Sequence, residues 1–86
     1  MRKYYLSPLP NNIYFSYREA QCMAYFMKGY SNQAVANLLK ISSNTVNAYL
    51  ANMKSKLGCN SKISLIAKVC QTSFMDYLSE LLEQQL

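Results

Sequence analysis

The 86-residue sequence contains no histidine, only two glycines and two prolines, and three cysteines. Without histidine there is no His-based catalytic triad, proton shuttle or histidine metal ligand. The cysteines are odd in number and form no C-x-x-C pair; they are Cys22, Cys59 and Cys70. Their number and spacing fit neither a zinc knuckle nor a disulfide framework. We therefore predict no metal site, and no motif implies a cofactor. Because neither an acid–base pair nor an activated nucleophile can be assembled, we also predict no enzymatic activity.

Long apolar runs are also missing. No stretch of about 18 apolar residues could span a membrane, and no apolar run of a signal peptide follows the basic start of the chain. We therefore expect a soluble, cytoplasmic protein with reduced thiols, in which Cys22 and Cys70 are buried and Cys59 lies in an exposed turn. A redox role for Cys59 is a hypothesis based on that turn position alone. With 51% apolar residues and little glycine or proline, the chain should be ordered and mostly helical.

Charge is distributed very unevenly along the chain. Nine Lys and Arg against four Asp and Glu give a net charge of +5. Residues 1–72 hold every basic side chain and one acid, Glu19, whereas residues 73–86 hold three acids and no base. The basic part favours a polyanion such as nucleic acid as partner. An anionic membrane surface is disfavoured, since the amphipathic tail is acidic.

Four segments each begin at a serine that can cap a helix, followed by apolar side chains every three or four residues. They start at Ser16, at Ser31, at Ser42 or Ser43, and at Ser61. In the first, Glu19 has the spacing of a capping box with the serine. The second and third are joined by a turn of about three residues, which is the layout of a helix-turn-helix.

The two ends of the chain differ from this helical middle. Residues 1–14 show no sustained period and contain two prolines, so we predict an arm or linker before a domain over residues 15–72. Residues 73–86 repeat the helical period and predict an additional or extended amphipathic helix. Its apolar side either folds back over the domain or forms part of a dimer seam.

Several short motifs fall in register over roughly residues 15–70, without a gap. They are the Arg18-Glu19 pair, the turn Gly29-Tyr30-Ser31-Asn32, the helix start Ser42-Ser43-Asn44-Thr45-Val46 and the helix end Lys56-Leu57-Gly58. In these motifs the chain resembles the LuxR-type, or GerE-like, helix-turn-helix domain of bacterial transcription regulators. The resemblance implies an all-α, four-helix domain that binds double-stranded DNA as a dimer, with the third helix in the major groove.

The resemblance also implies site residues. Asn47, Ala48 and Ala51 would face the bases, where asparagine can pair with adenine and alanine can lie against thymine methyls. Backbone contacts are expected at the start of the third helix and along it, from Ser42, Ser43, Asn44, Thr45, Tyr49, Lys54 and Lys56. Dimer contacts are expected in the fourth helix and the tail, from Leu65, Lys68, Val69, Phe74, Leu78 and Leu81.

Three positions depart from the family pattern, namely Tyr17, Lys40 and Tyr49, where proline, glycine and histidine are usual. A left-handed backbone at Lys40 would cost about 1 kcal/mol, and Tyr49 either donates to phosphate or lies against the first helix. Since the predicted base-facing residues include no Arg or Lys, we expect half-sites rich in A·T base pairs.

Two alternative functions stay open. The chain is either an effector domain attached to a sensor domain, or a protein-interaction module whose apolar tail binds a transcription-related partner such as an RNA polymerase subunit.

Overall fold

A computed structural model of the protein describes residues 2–10 and 12–83. Two short strands, β1 (Lys3–Tyr5) and β2 (Tyr14–Ser16), precede the helices α1 (Tyr17–Met27), α2 (Asn32–Leu39), α3 (Ser43–Leu57) and α4 (Lys62–Val69), a 3-10 helix (Ser73–Tyr77) and α5 (Leu78–Glu83). The mostly helical fold is confirmed, but the two strands correct the prediction that it is all-α. The last three positions of the predicted tail helix, residues 84–86, lie outside the described residues.

The predicted serine caps are present at all four helix starts. The side chains of Ser16, Ser31, Ser42 and Ser61 each accept the backbone N–H three residues further on. At α1 the capping box is complete, because the Glu19 carboxylate also accepts the backbone N–H of Ser16 at 2.9 Å. These local bonds satisfy N–H groups that the first helical turn would otherwise leave without a partner.

The N-terminal segment is part of the folded core. Strand β1 pairs antiparallel with β2, in a register that sets Tyr4 opposite Phe15. Tyr4 is 3% exposed and Leu6 is fully buried. Sequence periodicity missed the strands because each has only three residues, which is too short for an alternating pattern to stand out.

The C-terminal tail folds back onto this N-terminal segment. Ser73 donates its backbone N–H to the carbonyl of Ser7 at 2.8 Å, and the backbone N–H of Ser7 donates to the Ser73 hydroxyl at 3.1 Å. Edge-to-face ring contacts join Phe74 to Phe15, with centroids 5.6 Å apart, and Tyr77 to Tyr4, with centroids 4.9 Å apart. Of the two interpretations of the tail, the structure shows the one in which it completes the core.

The three cysteines have different environments. Cys22 is fully buried in α1, and burial raises the pKa of its thiol to about 11. Cys59 is partly exposed, whereas Cys70 is exposed at the C-terminal end of α4, so the prediction that Cys70 is buried was wrong. None of the helices in residues 2–10 and 12–83 has the length and apolarity that crossing a membrane needs.

Candidate nucleic-acid interface

The link between α2 and α3 is the three-residue turn that the sequence predicts. Lys40 ends α2 in the left-handed region, with φ 58° and ψ 45°, which is the strained conformation expected where the family has glycine. The next residue, Ile41, donates its backbone N–H to the carbonyl of Ala36 at 3.0 Å. Val46 and Leu50 then bury the inner side of α3. The turn and this burial together fix which side of α3 faces outward.

The outward side of α3 carries small and polar side chains. Asn44, Asn47, Ala48 and Ala51 are all exposed, so the three predicted base-facing residues share one accessible surface. This surface continues to Asn52 and Ser55, which are exposed and lie four residues beyond Ala48 and Ala51. Helical spacing alone could have found both of these residues.

Hydroxyl groups surround the N-terminus of α3. The Ser42 hydroxyl accepts the backbone N–H of Thr45 at 3.1 Å and lies 2.8 Å from the Thr45 hydroxyl. The Ser43 hydroxyl donates to the Gln33 side chain at 2.6 Å, which ties α2 to α3. These residues lie where the helix dipole favours an anion.

Asn47 is held by a chain of hydrogen bonds. The side-chain N–H of Asn32 donates to the Asn47 side-chain oxygen at 2.8 Å, and the Lys62 ammonium donates to the Asn32 side-chain oxygen at 2.8 Å. Lys62 also lies 4.1 Å from the ring centroid of Phe26, and partial burial lowers the pKa of its ammonium. The sequence analysis missed this series of hydrogen bonds, although Asn32 belongs to the turn motif Gly29-Tyr30-Ser31-Asn32.

The lysines near the end of α3 and in α4 differ in what they contact. The Lys56 ammonium donates to the Glu19 carboxylate at 2.6 Å and to the Tyr14 carbonyl at 2.9 Å, and the Glu19 side chain is only 5% exposed. The Lys68 ammonium donates to the Leu57 carbonyl at 2.9 Å, at the C-terminus of α3. Lys54 is half-buried and makes no ion pair within the described residues.

Tyr49 is partly buried and packs against the hydrophobic core. The ring therefore takes part in packing. Within residues 2–10 and 12–83 its hydroxyl has no hydrogen-bond partner, which leaves a donor on the partly exposed side of α3.

Four of the six side chains predicted for dimerisation are inside the protomer's own core, each at most 1% exposed: Leu65, Val69, Phe74 and Leu81. A partner cannot contact buried side chains, so for these four the interpretation is corrected. The outward apolar side of α4 consists of Ile63, which is 81% exposed, together with Ala67 and Cys70 at helical spacing. Leu78 is half-buried and Lys68 is exposed.

Two helices joined by a three-residue turn, the second capped and presenting a small, polar face, define a helix-turn-helix domain of the DNA-binding type. The family described as "Bacterial regulatory proteins, luxR family" (GerE) matches residues 14–69. The chain therefore belongs to the luxR family of bacterial regulatory proteins. Membership in a family of regulators agrees with the prediction that the chain is not an enzyme.

Two relatives are similar to part of the chain. The chain is 41% identical over 51 residues to the Fimbriae Z protein of Salmonella typhimurium strain LT2, and 39% identical over 51 residues to the Fimbriae Z protein of Escherichia coli K12. Each match covers 59% of this chain and 24% of the relative, so the chain spans about a quarter of the length of these relatives. No solved structure matches the chain with comparable significance.

Proposed function

We propose that this chain binds specific double-stranded DNA sequences as a transcription regulator, or as the DNA-binding effector domain of a larger one. It binds as a dimer, with α3 in the major groove. The observation that carries the proposal is the exposed face of α3, oriented by the tight turn after α2 and by the burial of Val46 and Leu50. An α-helix presented in this way fits the width of the major groove of B-DNA.

Base contacts are proposed for Asn47, Ala48 and Ala51. The Asn47 amide can bond both N6 and N7 of adenine, and the two alanines expose methyl groups that fit against thymine methyls. None of the three offers the guanidinium or ammonium group that most often contacts guanine. The proposed half-site is therefore rich in A·T pairs.

Backbone contacts are proposed where hydroxyls, backbone N–H groups and a cation reach the surface of α3. The residues are Ser42, Ser43, Asn44, Thr45, Tyr49 and Lys54. Lys56 is assigned to the fold instead, because its ammonium already bonds the nearly buried Glu19 carboxylate. Moving this ammonium to a phosphate would leave a buried charge without its partner, which is costly.

The proposed dimer surface is the outward side of α4. Ile63, Ala67 and Cys70 form an apolar stripe that the protomer does not cover, with Lys68 and Leu78 as candidate flanking contacts. A two-fold dimer would place this stripe against its own copy. The alternative of a tail-mediated interaction module is supported less, since Phe74 and Leu81 are buried within the protomer.

Selection of binding sites from a randomised 20-base-pair duplex pool, followed by sequencing, tests this function. We expect enrichment of a two-fold-symmetric, A·T-rich site, because operator symmetry mirrors dimer symmetry. The variant Ile63→Asp should lose the symmetric site, whereas Ser64→Asp, which adds the same charge at the next exposed position of α4, should retain it. Failure of the protein to retain any duplex at low salt would refute the DNA function, and enrichment of single half-sites would refute the dimer.

A further inference from the structure

We propose that Asn32 and Lys62 are positioning residues that orient the Asn47 amide and thereby set the preference for adenine. The inference rests on the proposed function, because it assigns to α2 and α4 a part in base discrimination by α3. Neither Asn32 nor Lys62 needs to contact a base for this role.

The chemistry of the three groups fixes the direction of each hydrogen bond. An ammonium group can only donate, so Lys62 requires the oxygen of the Asn32 amide on its side. The N–H of Asn32 must then face Asn47, which in turn must present its oxygen to Asn32. Both contacts are 2.8 Å long. The charge on Lys62 therefore determines the orientation of two successive amides.

Both residues are placed by the starts of their helices. Asn32 is the first residue of α2 and Lys62 the first residue of α4, each directly after a serine cap. The ammonium of Lys62 is further held 4.1 Å from the ring centroid of the buried Phe26. Side chains from α4, α2 and α3 thus form one chain of hydrogen bonds that ends at the Asn47 amide.

The result is an Asn47 side chain that is prepared for adenine before DNA arrives. Its N–H group has no acceptor among residues 2–10 and 12–83 and is free to donate to N7 of a purine. Its oxygen accepts one bond from Asn32 and retains a second lone pair for the N6–H of adenine. Fixing such a side chain in advance spares the ordering cost of binding, which corresponds to roughly threefold to tenfold in affinity.

Reversing the direction of the Asn32 bond gives the sharpest test. Asn32→Asp keeps the shape and the contact with Lys62, but a carboxylate can only accept, so the Asn47 amide must turn its N–H inward. The affinity ratio between the selected duplex and one with G·C at the Asn47 position should fall roughly threefold to tenfold. The matched control Gln33→Glu adds the same charge at the next residue, and should weaken both duplexes equally without changing the ratio.

Removal of the cation gives an independent test. Lys62→Met should lower the same ratio while leaving the salt dependence of binding unchanged. The control Lys28→Met removes a charge from a pocket that Ser79 and Glu83 also line, and should not lower the ratio. In an Asn47→Ala background, Lys62→Met should have no effect on the ratio. Fluorescence anisotropy on the two duplexes measures each value, and urea unfolding confirms that each variant folds.

Three results separate the outcomes. An unchanged ratio in folded Asn32→Asp and Lys62→Met would overturn the positioning role while leaving the proposed function intact. An equal loss of affinity for both duplexes in Lys62→Met, with a shallower salt dependence, would also overturn the positioning role, because Lys62 would then be a phosphate contact. Absence of duplex binding by the unmodified protein would overturn the proposed function itself.

Discussion

The ion pair between Lys56 and Glu19 should be a determinant of stability, and a double-mutant cycle tests this. Glu19→Gln keeps an oxygen for the capping bond and removes only the charge. Lys56→Met leaves the carboxylate of Glu19, which is 5% exposed, without its cation. Breaking a fully buried pair in this way costs about 3–5 kcal/mol.

The cost here should be smaller, because the Lys56 side chain is 34% exposed and water screens the charge. We expect Lys56→Met to lower the free energy of unfolding by about 2 kcal/mol, and Glu19→Gln to lower it by about 1 kcal/mol. The double variant should be more stable than the sum of the two losses predicts, by roughly 1 kcal/mol. Urea unfolding followed by circular dichroism measures all four proteins, and strictly additive losses would refute the coupling.

Comparing Lys56→Met with Lys54→Met distinguishes a lysine that stabilises the fold from one that contacts DNA. Lys56→Met should leave the slope of log affinity against log salt concentration unchanged. Lys54→Met should reduce that slope by about 0.9 for each protomer, which is the value for one lost phosphate contact. If the two variants reduced the slope equally, Lys56 would contact DNA and its assignment to the fold would be wrong.

Three further predictions concern the backbone, the tail and the thiols. Lys40→Gly should raise the free energy of unfolding by about 1 kcal/mol in urea titrations, because Lys40 has φ 58°; Lys40→Ala should give no gain. Phe74→Ala should lower the free energy of unfolding by about 3 kcal/mol or more in the same assay, because the ring is fully buried. The control Met75→Ala, at a side chain that is 45% exposed, should change this free energy by less than about 0.5 kcal/mol. In thiol labelling at pH 8, Cys22 should react only on unfolding, since it is buried and burial raises the pKa of its thiol to about 11. Rapid labelling of Cys22 in the native protein would contradict its burial.

Helix starts and the turn could be predicted because their causes are local. A serine and the N–H three residues later belong to one short segment, so Ser16, Ser31 and Ser61 signal their helices directly in the sequence. The exposed face of α3 follows in the same way from the spacing of its buried residues. What the sequence could not show was which residues distant in the chain meet.

The missed features depend on such distant contacts. Lys56 and Glu19 are 37 positions apart, and Lys62 and Asn32 are 30 apart, so no local pattern joins them. On α4 both sides of the helix carry apolar residues, and periodicity alone could not decide whether Leu65 or Ile63 faces the core. Packing against the other helices settles that question in favour of Leu65, which is fully buried.

The central claim, that the face of α3 binds duplex DNA, is tested most directly by fluorescence anisotropy of the unmodified protein with the selected duplex at increasing salt. A dimer with one Lys54 contact in each protomer should give a slope of log affinity against log salt of about −2 or steeper, because each phosphate contact contributes about −0.9. Binding that weakens in this way, and that the variant Asn47→Ala shifts toward loss of A·T preference, is the predicted result. Affinity that does not change with salt, or no binding at the lowest salt concentration, would contradict the account.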